Sequence, residues 1–304
     1  MTTSSALGGT VPINGRDVPR IGYGMGRASH AADTPDAYDC SLAALRQAVD
    51  GGIRLFDTAQ FYDDGRANRL LREAVGRHRD DVVYATKVGA RPVTGGPVPM
   101  TAAQRPPELR EAVEENLRTL GTDRLDVVYM RRMDFLPGIV VEEGEQRVPL
   151  ADQLAELVAL RDEGKVLGIG LSHVTLEQLR EALPVGLAAV SNIHSLLVRR
   201  HEDLLRLCVE SSIAWIPYFP PGGGYSFDPL PRTVDDPVVR EIAEETDATP
   251  AQVGAAWMLG HAPGTVMISG TVTPSHLDEN IAAGDLVLTA DQRERLDARA
   301  DDAS

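Results

Sequence analysis

The chain has 304 residues, of which 43% are apolar, with a formal net charge of −15 and a pI near 4.9. An acidic surface of this kind argues against nucleic acid or an anionic membrane as the main partner, and no run approaches the ~20 apolar residues of a membrane span. Cys40 and Cys208 are far apart and belong to no CxxC or Cys/His cluster, so neither a disulfide framework nor a metal site is indicated.

Both cysteines are expected as small buried residues within helices. The N-terminal stretch MTTSSALGGT carries no basic region and no apolar run of signal length, so a cytoplasmic location is the expectation. The chain then opens with a hairpin, in which Val11-Pro12-Ile13 and Val18-Pro19-Arg20-Ile21 flank the turn dipeptide Asn14-Gly15. Eight short apolar runs follow: Ile21–Gly24, Arg54–Asp57, Val82–Lys87, Leu125–Met130, Val166–Ser172, Ala188–Asn192, Ala214–Tyr218 and Val266–Ser269. Their length and continuous apolarity fit fully buried parallel strands.

Helical patterns lie between them, at Ala37–Gly51, Pro107–Leu120, Leu150–Gly164, Thr175–Leu183 and Glu202–Ser211. After the seventh strand come Pro237–Thr246 and Pro250–Leu259, and the chain ends with Pro274–Ala282 and Thr289–Arg299. Thr249-Pro250 reads as an N-cap followed by proline at the first helical position. Alternation of this kind predicts an α/β fold, a (β/α)8 TIM barrel with an N-terminal β-hairpin, built as a single domain over residues 1–304. The long connections Gly89–Pro106, Arg132–Pro149 and Phe219–Asp236 follow the third, fourth and seventh strands. They therefore gather on the C-terminal face, where barrels bind ligands.

Three side chains stand at adjacent strand ends of that face. Asp57 ends the second strand, Tyr62 follows five residues later, and Lys87 ends the third. A tyrosine hydroxyl of pKa ~10 is a poor acid near neutral pH. A neighbouring ammonium favours the phenolate, and a carboxylate can hold that ammonium in place. Tyr62 can then protonate a carbonyl oxygen as hydride reaches carbon.

At these residues the chain resembles the aldo-keto reductases, over nearly its whole length. Asp57-Thr58-Ala59-x-x-Tyr62 matches that family's most specific motif, and Thr86-Lys87 its lysine strand. Leu125–Met130, Gly164–Ser172 and Ile268–Asn280 look like its fourth strand, fifth strand and adenosine-phosphate segment. The resemblance implies a nicotinamide cofactor, NADP with NAD as the alternative, lying extended across the barrel mouth, and a small-molecule substrate. It also implies cofactor contacts from Ser172, His173, Ser191, Tyr218, Phe219, Pro221, Gly223, Ser269, Gly270, Thr271, His276, Glu279 and Asn280. Tyr218 matches the aromatic residue that stacks on the nicotinamide. Tyr23, Met25, Phe61 and Arg132 are expected near the substrate.

Departures from the family pattern are specific. Its fourth strand ends in a histidine that hydrogen-bonds the substrate carbonyl; here that position is Arg131, and no other histidine lies nearby in sequence. Arginine offers only donors and a permanent charge, so Arg131 either stabilises a developing oxyanion, binds a substrate carboxylate, or turns away into an ion pair. Ser172-His173 stands where Ser-Asn is usual, and Ser191 where glutamine is usual. Gly270 and His276 occupy positions that carry Lys or Arg in NADP-preferring members, which weakens the phosphate anchor. Two readings stay open. One is an oxidoreductase acting on an aldehyde or ketone, or on an imine or conjugated alkene. The other is a nucleotide-binding sensor or subunit with little turnover.

Overall fold

A computed structural model describes residues 6–93, 100–136, 138–223 and 230–299. Parts of all three expected long connections, Pro137 and Gly224 among them, lie outside the described residues. The chain opens with an antiparallel hairpin of β1 (Thr10–Ile13) and β2 (Arg16–Pro19). Its turn uses left-handed backbone at both Asn14 (φ 50) and Gly15 (φ 76), as the strands' twist requires.

The barrel units follow in order: β3 (Ile21–Gly24), α1 (Met25–Ala31), α2 (Pro35–Asp50), β4 (Leu55–Asp57), α3 (Arg66–Val75) and β5 (Val83–Val88). A small hairpin, β6 (Ala90–Pro92) and β7 (Met100–Ala102), precedes α4 (Pro106–Leu120). Next come β8 (Val127–Arg131), α5 (Leu150–Asp162), β9 (Ile169–Ser172), α6 (Leu176–Ala182), β10 (Leu187–Ser191) and α7 (Glu202–Glu210). The last turn of the barrel is β11 (Ala214–Trp215), α8 (Pro237–Glu245), α9 (Pro250–His261), β12 (Met267–Ile268), α10 (Pro274–Ala282) and α11 (Ala290–Asp297).

Eight parallel strands run in the order β11-β10-β9-β8-β5-β4-β3-β12. A single parallel bridge, from Trp215 of β11 to Thr265 just before β12, closes the barrel. The eight expected strands are therefore present, shortened at several ends. The helix Arg66–Val75 was not singled out from the sequence. It starts at Gly65 (φ 74) after two left-handed aspartates, Asp63 and Asp64, and its exposed face is dense with charge. The β6–β7 hairpin also interrupts a strict β-then-α alternation.

Alternating strand residues fill the barrel interior. Leu55, Val83, Val127, Tyr129, Ala189, Ile216 and Ile268 form one cluster there with Val11, Ile13 and Val18 of the N-terminal hairpin. The hairpin is thus a plug on the floor of the barrel, opposite the mouth, and Asn14 Nδ2 ties it to the Asp126 carbonyl at 2.5 Å. Tyr129 fits inside because its strand partner is Gly170: a Cβ there would lie 2.6 Å from the Tyr129 ring. Cys208 is buried in α7 as expected, but Cys40 is exposed on α2, because its position faces outward on that helix.

Residues that share no sequence motif also meet on the outer side of the barrel. His194 Nε2 and His261 Nε2 both donate to Glu202, at 3.0 and 2.9 Å from Oε1. These three groups come from separate segments, which is why the sequence suggests no grouping of them. Burial pushes the nearby His201 ring down to about 4. Burial alone would raise Glu202, but the hydrogen bonds from His194 and His261 outweigh it and hold the carboxyl low.

Two predictions follow from this packing. Ile13→Ala should cost ~2–5 kcal/mol, as for other large-to-small changes in a core, and this would appear as a lower Tm in a thermal melt. The unfolded chain protonates His201 at about pH 6.5, whereas the folded chain does so only at about 4. Stability is therefore lost as pH falls through that window, and Glu202, being depressed, adds a loss of the same sign at its lower end. Thermal midpoints measured from pH 7 downward should fall accordingly, and His201→Asn should flatten the upper part of the curve.

Candidate active site

β4 and β5 place the central groups. Asp57 is the last residue of β4, and its strand partner is Ala85, two residues before Lys87 on β5. Both side chains are buried, and the Lys87 ammonium donates to Asp57 Oδ1 and to the Thr58 carbonyl, the latter at 3.1 Å. Burial works against the ammonium, but the Asp57 charge, with Tyr62, overcomes it and leaves Lys87 more firmly protonated than usual. The Tyr62 ring centroid lies 5.1 Å from Nζ. Asp57, Tyr62 and Lys87 are therefore brought together as expected.

A buried polar network not seen from sequence holds this turn. Thr58 Oγ1 donates to Asn68 at 2.8 Å. Asn68 Nδ2 reaches Gln60, Asn116 and Thr119 at 2.9–3.0 Å. Thr86 donates to Asn116 at 2.7 Å, which joins β5 to the same hub. Burial without such partners would be costly, so the network fixes the Asp57–Tyr62 segment against α3 and α4. Only the presence of polar residues at helix positions facing the core hints at it.

A groove of about 620 Å³ runs from Asp57 and Tyr62 across the barrel mouth. Its walls include Met25, Tyr218, Phe219, Pro221, Gly223, Ser269 and Gly270, all anticipated, and also Arg27 and Arg232, which were missed. Arg27 sits in α1, three positions beyond Gly24 at the end of β3; a basic residue soon after a strand end was the available signal. A smaller cavity continues past Pro221 and Ser269 to Asn280. The walls suit an extended phosphate-bearing cofactor. A Cβ on Gly270 would lie 2.0 Å from the Gly24 carbonyl, and one on Gly222 2.0 Å from that of Pro231, so backbone itself forms the wall. Ser172 and Ser191 are strand partners, and their buried hydroxyls have no hydrogen-bond partner among the described residues. They are free to meet a polar group at the mouth.

Other expected residues stand elsewhere. Tyr23 is fully buried, its hydroxyl donating to the Thr271 carbonyl, and it packs with Phe56 inside the protein rather than on the groove. Phe61 packs edge-on against Tyr62, at 5.2 Å between centroids, on the side of Ala90, Met100 and Met133. Arg132 is committed to the protein: it grips Asp134 through two contacts of 2.8 and 2.9 Å and also donates to Val148 and Gln153. Thr271 caps the Thr273 amide, His276 is exposed on α10, and the Glu279 carbonyl accepts from Gln252.

Arg131 ends β8 as the partner of Ser172 and is almost entirely buried. Its guanidinium lies 5.9 Å from the Tyr218 ring centroid. Gln104 Nε2 fixes its backbone by donating to the Arg131 and Gly89 carbonyls at 2.9 and 2.6 Å. A histidine does lie beside it in space: His173, whose ring is depressed first by burial and then by the Arg131 charge.

Comparison with known proteins follows this geometry. The family model described as "Aldo/keto reductase family" matches residues 20–301. Pyridoxine 4-dehydrogenase of Escherichia coli (strain K12) is 33% identical over 291 residues, covering 95% of this chain and 97% of that protein. An uncharacterized oxidoreductase of Schizosaccharomyces pombe, C215.11c, is 30% identical over 294 residues, covering 95% and 89%. Among solved structures, an aldo-keto reductase from Klebsiella pneumoniae in complex with NADPH superposes with a TM-score of 0.77 at 26% identity, covering 96% of each chain. With a barrel, a strand-end Asp57–Lys87 pair and matches of this extent, the chain belongs to the aldo/keto reductase family.

Proposed function

We propose that this protein is an NADP-dependent reductase of carbonyl compounds in which Tyr62 is the proton donor. The buried Asp57–Lys87 pair beside Tyr62, at one end of the groove, carries this reading. When bound, NADPH supplies the hydride. Tyr62 gives its proton to the carbonyl oxygen, and Lys87, held by Asp57, favours the phenolate that is left. Ser172 and Ser191 would hold the carboxamide of the bound cofactor, and Tyr218 would meet its nicotinamide ring. Arg27 and Arg232 supply the positive charge that the last segment lacks at Gly270 and His276. NAD is the weaker alternative cofactor. Among the described residues no helix is long and apolar enough to cross a membrane, and a cytoplasmic location is part of this proposal.

Arg131 directs the choice of substrate. A guanidinium donates to oxygen and favours anions, so the pocket suits an aldehyde that carries an ionisable oxygen next to the reacting group. The name of the E. coli relative supports a compound of that kind. Pyridoxal, with a phenolic hydroxyl beside its 4-aldehyde, has the required chemistry. The residues that bind it are Arg131, with Met25 of the groove as an apolar wall.

Tyr62→Phe removes the proton donor and keeps the ring. Single-turnover hydride transfer to pyridoxal should fall at least ~10²-fold, while the NADPH Kd from fluorescence titration changes little. Near-native turnover would remove Tyr62 from the acid role. Arg131→Ala should lower kcat/KM for pyridoxal by ~10²-fold or more, the scale of a lost oxyanion donor. Arg131→His should shift preference toward uncharged benzaldehydes. If steady-state assays show both variants with the native ratio of pyridoxal to benzaldehyde activity, Arg131 does not read the substrate.

A further inference from the structure

The sequence places His173 among the groups that meet the cofactor, as a stand-in for asparagine. The structure gives its ring a different occupation. Nε2 lies 2.8 Å from the Phe135 carbonyl oxygen, and Nδ1 lies 2.8 Å from the Tyr218 hydroxyl. A carbonyl has no proton to give, so Nε2 must carry the hydrogen. The neutral ring then presents a lone pair at Nδ1, and the Tyr218 hydroxyl is the donor of that bond. Burial, followed by the Arg131 charge, pushes the ring down to about 3, so this neutral tautomer persists across the working range of pH.

The ring is also clamped by packing. It stacks on Phe135 with centroids 4.0 Å apart and planes at 23°. The backbone of His173 is left-handed, at φ 59, which is uncommon for a residue other than glycine and is kept only where the surroundings over-determine it. Here those surroundings are the Ser191 carbonyl, which accepts from His173 N at 3.1 Å, and the two ring bonds. Phe135 lies in the segment just after β8, a few residues beyond Arg131. Tyr218 lines the groove, with the Arg131 guanidinium near its ring.

We propose that His173 is a positioning residue that fixes the groove-lining Tyr218 and the segment after β8 against each other. The wall that meets the nicotinamide and the wall that encloses Arg131 are then set as one unit. His173 touches neither cofactor nor substrate; it acts through Tyr218 and Phe135. The proposal rests on the reading that Tyr218 faces the nicotinamide.

A double-mutant cycle tests it. His173→Asn suits the left-handed backbone but is too short to span both partners. Tyr218→Phe removes the same bond and leaves His173 in place. NADPH Kd, the change in NADPH fluorescence on binding, and kcat and KM for pyridoxal are measured for the native chain, both single variants and the double variant. Each single variant should lose about tenfold in kcat/KM, since small misplacements of reacting groups cost up to ~10²-fold. Both should weaken the fluorescence change, and the double variant should be no worse than the poorer single one. The loss should not vary between about pH 5 and 9, because the neutral ring has no charge to change there. Losses that multiply in the double variant overturn the proposal, as does a Tyr218→Phe chain that behaves like the native one. Should His173→Asn fail to fold, His173→Gln takes its place in the cycle, and a Tyr218→Phe chain that behaves like the native one still overturns the proposal. An unchanged fluorescence response in Tyr218→Ala would show instead that Tyr218 does not face the nicotinamide. The underlying reading then fails, and the proposal with it.

Discussion

A lysine and an aspartate, both removed from water, face each other at the ends of β4 and β5. Taking two charges out of water is expensive, and their attraction offsets that cost only with close geometry and further hydrogen bonds. The surrounding structure meets those conditions. The Thr58 carbonyl accepts a second hydrogen bond from Lys87, and Thr58 is itself held through Asn68 by α3 and α4. Loss of either charged partner would strand the other inside the barrel. The pair therefore contributes less to stability than to placement, because it forces two strand ends and two helices into one register around Tyr62.

The other half of the mouth is built differently. Arg131 enters from β8 as a buried cation whose backbone is fixed by Gln104, while Arg132, next in the chain, turns outward to Asp134. Adjacent residues of a strand point to opposite faces, so two neighbouring arginines acquire unrelated tasks. Arg132 steadies the segment after β8 from outside the barrel, while Arg131 faces the mouth.

Much of this was legible in the sequence. Burial on both faces makes parallel strands read as continuous apolar runs, so all eight barrel strands could be placed in order. Asp57, Tyr62 and Lys87 were found because their chemistry depends on residue types at strand ends, which chain order preserves. Contacts between distant segments were not legible. Nothing along the chain joins His173 to Phe135 and Tyr218, or His194 to Glu202 and His261. Tyr23 was expected near the substrate because it sits at the end of the first strand, but the strand's pleat turns its ring away from the barrel axis, beside Phe56 and toward the Thr271 carbonyl. Arg27 and Arg232 were overlooked because the motif for the phosphate anchor directs attention to the last segment, whereas the groove draws its cations from the first and seventh units.

The closure of the barrel bears on all of these. Its seam between β11 and the chain entering β12 is held by one bridge, Trp215 to Thr265, whereas most other neighbouring strands share several paired positions. The groove lies astride that seam, with walls from the segments after β11, β12 and β3. A molecule bound there would act as a clasp between the first and last units of the chain. Because whatever binds only the closed form favours it by mass action, the empty protein should open first at this seam, and occupancy would turn the loosest joint of the cylinder into a shared one.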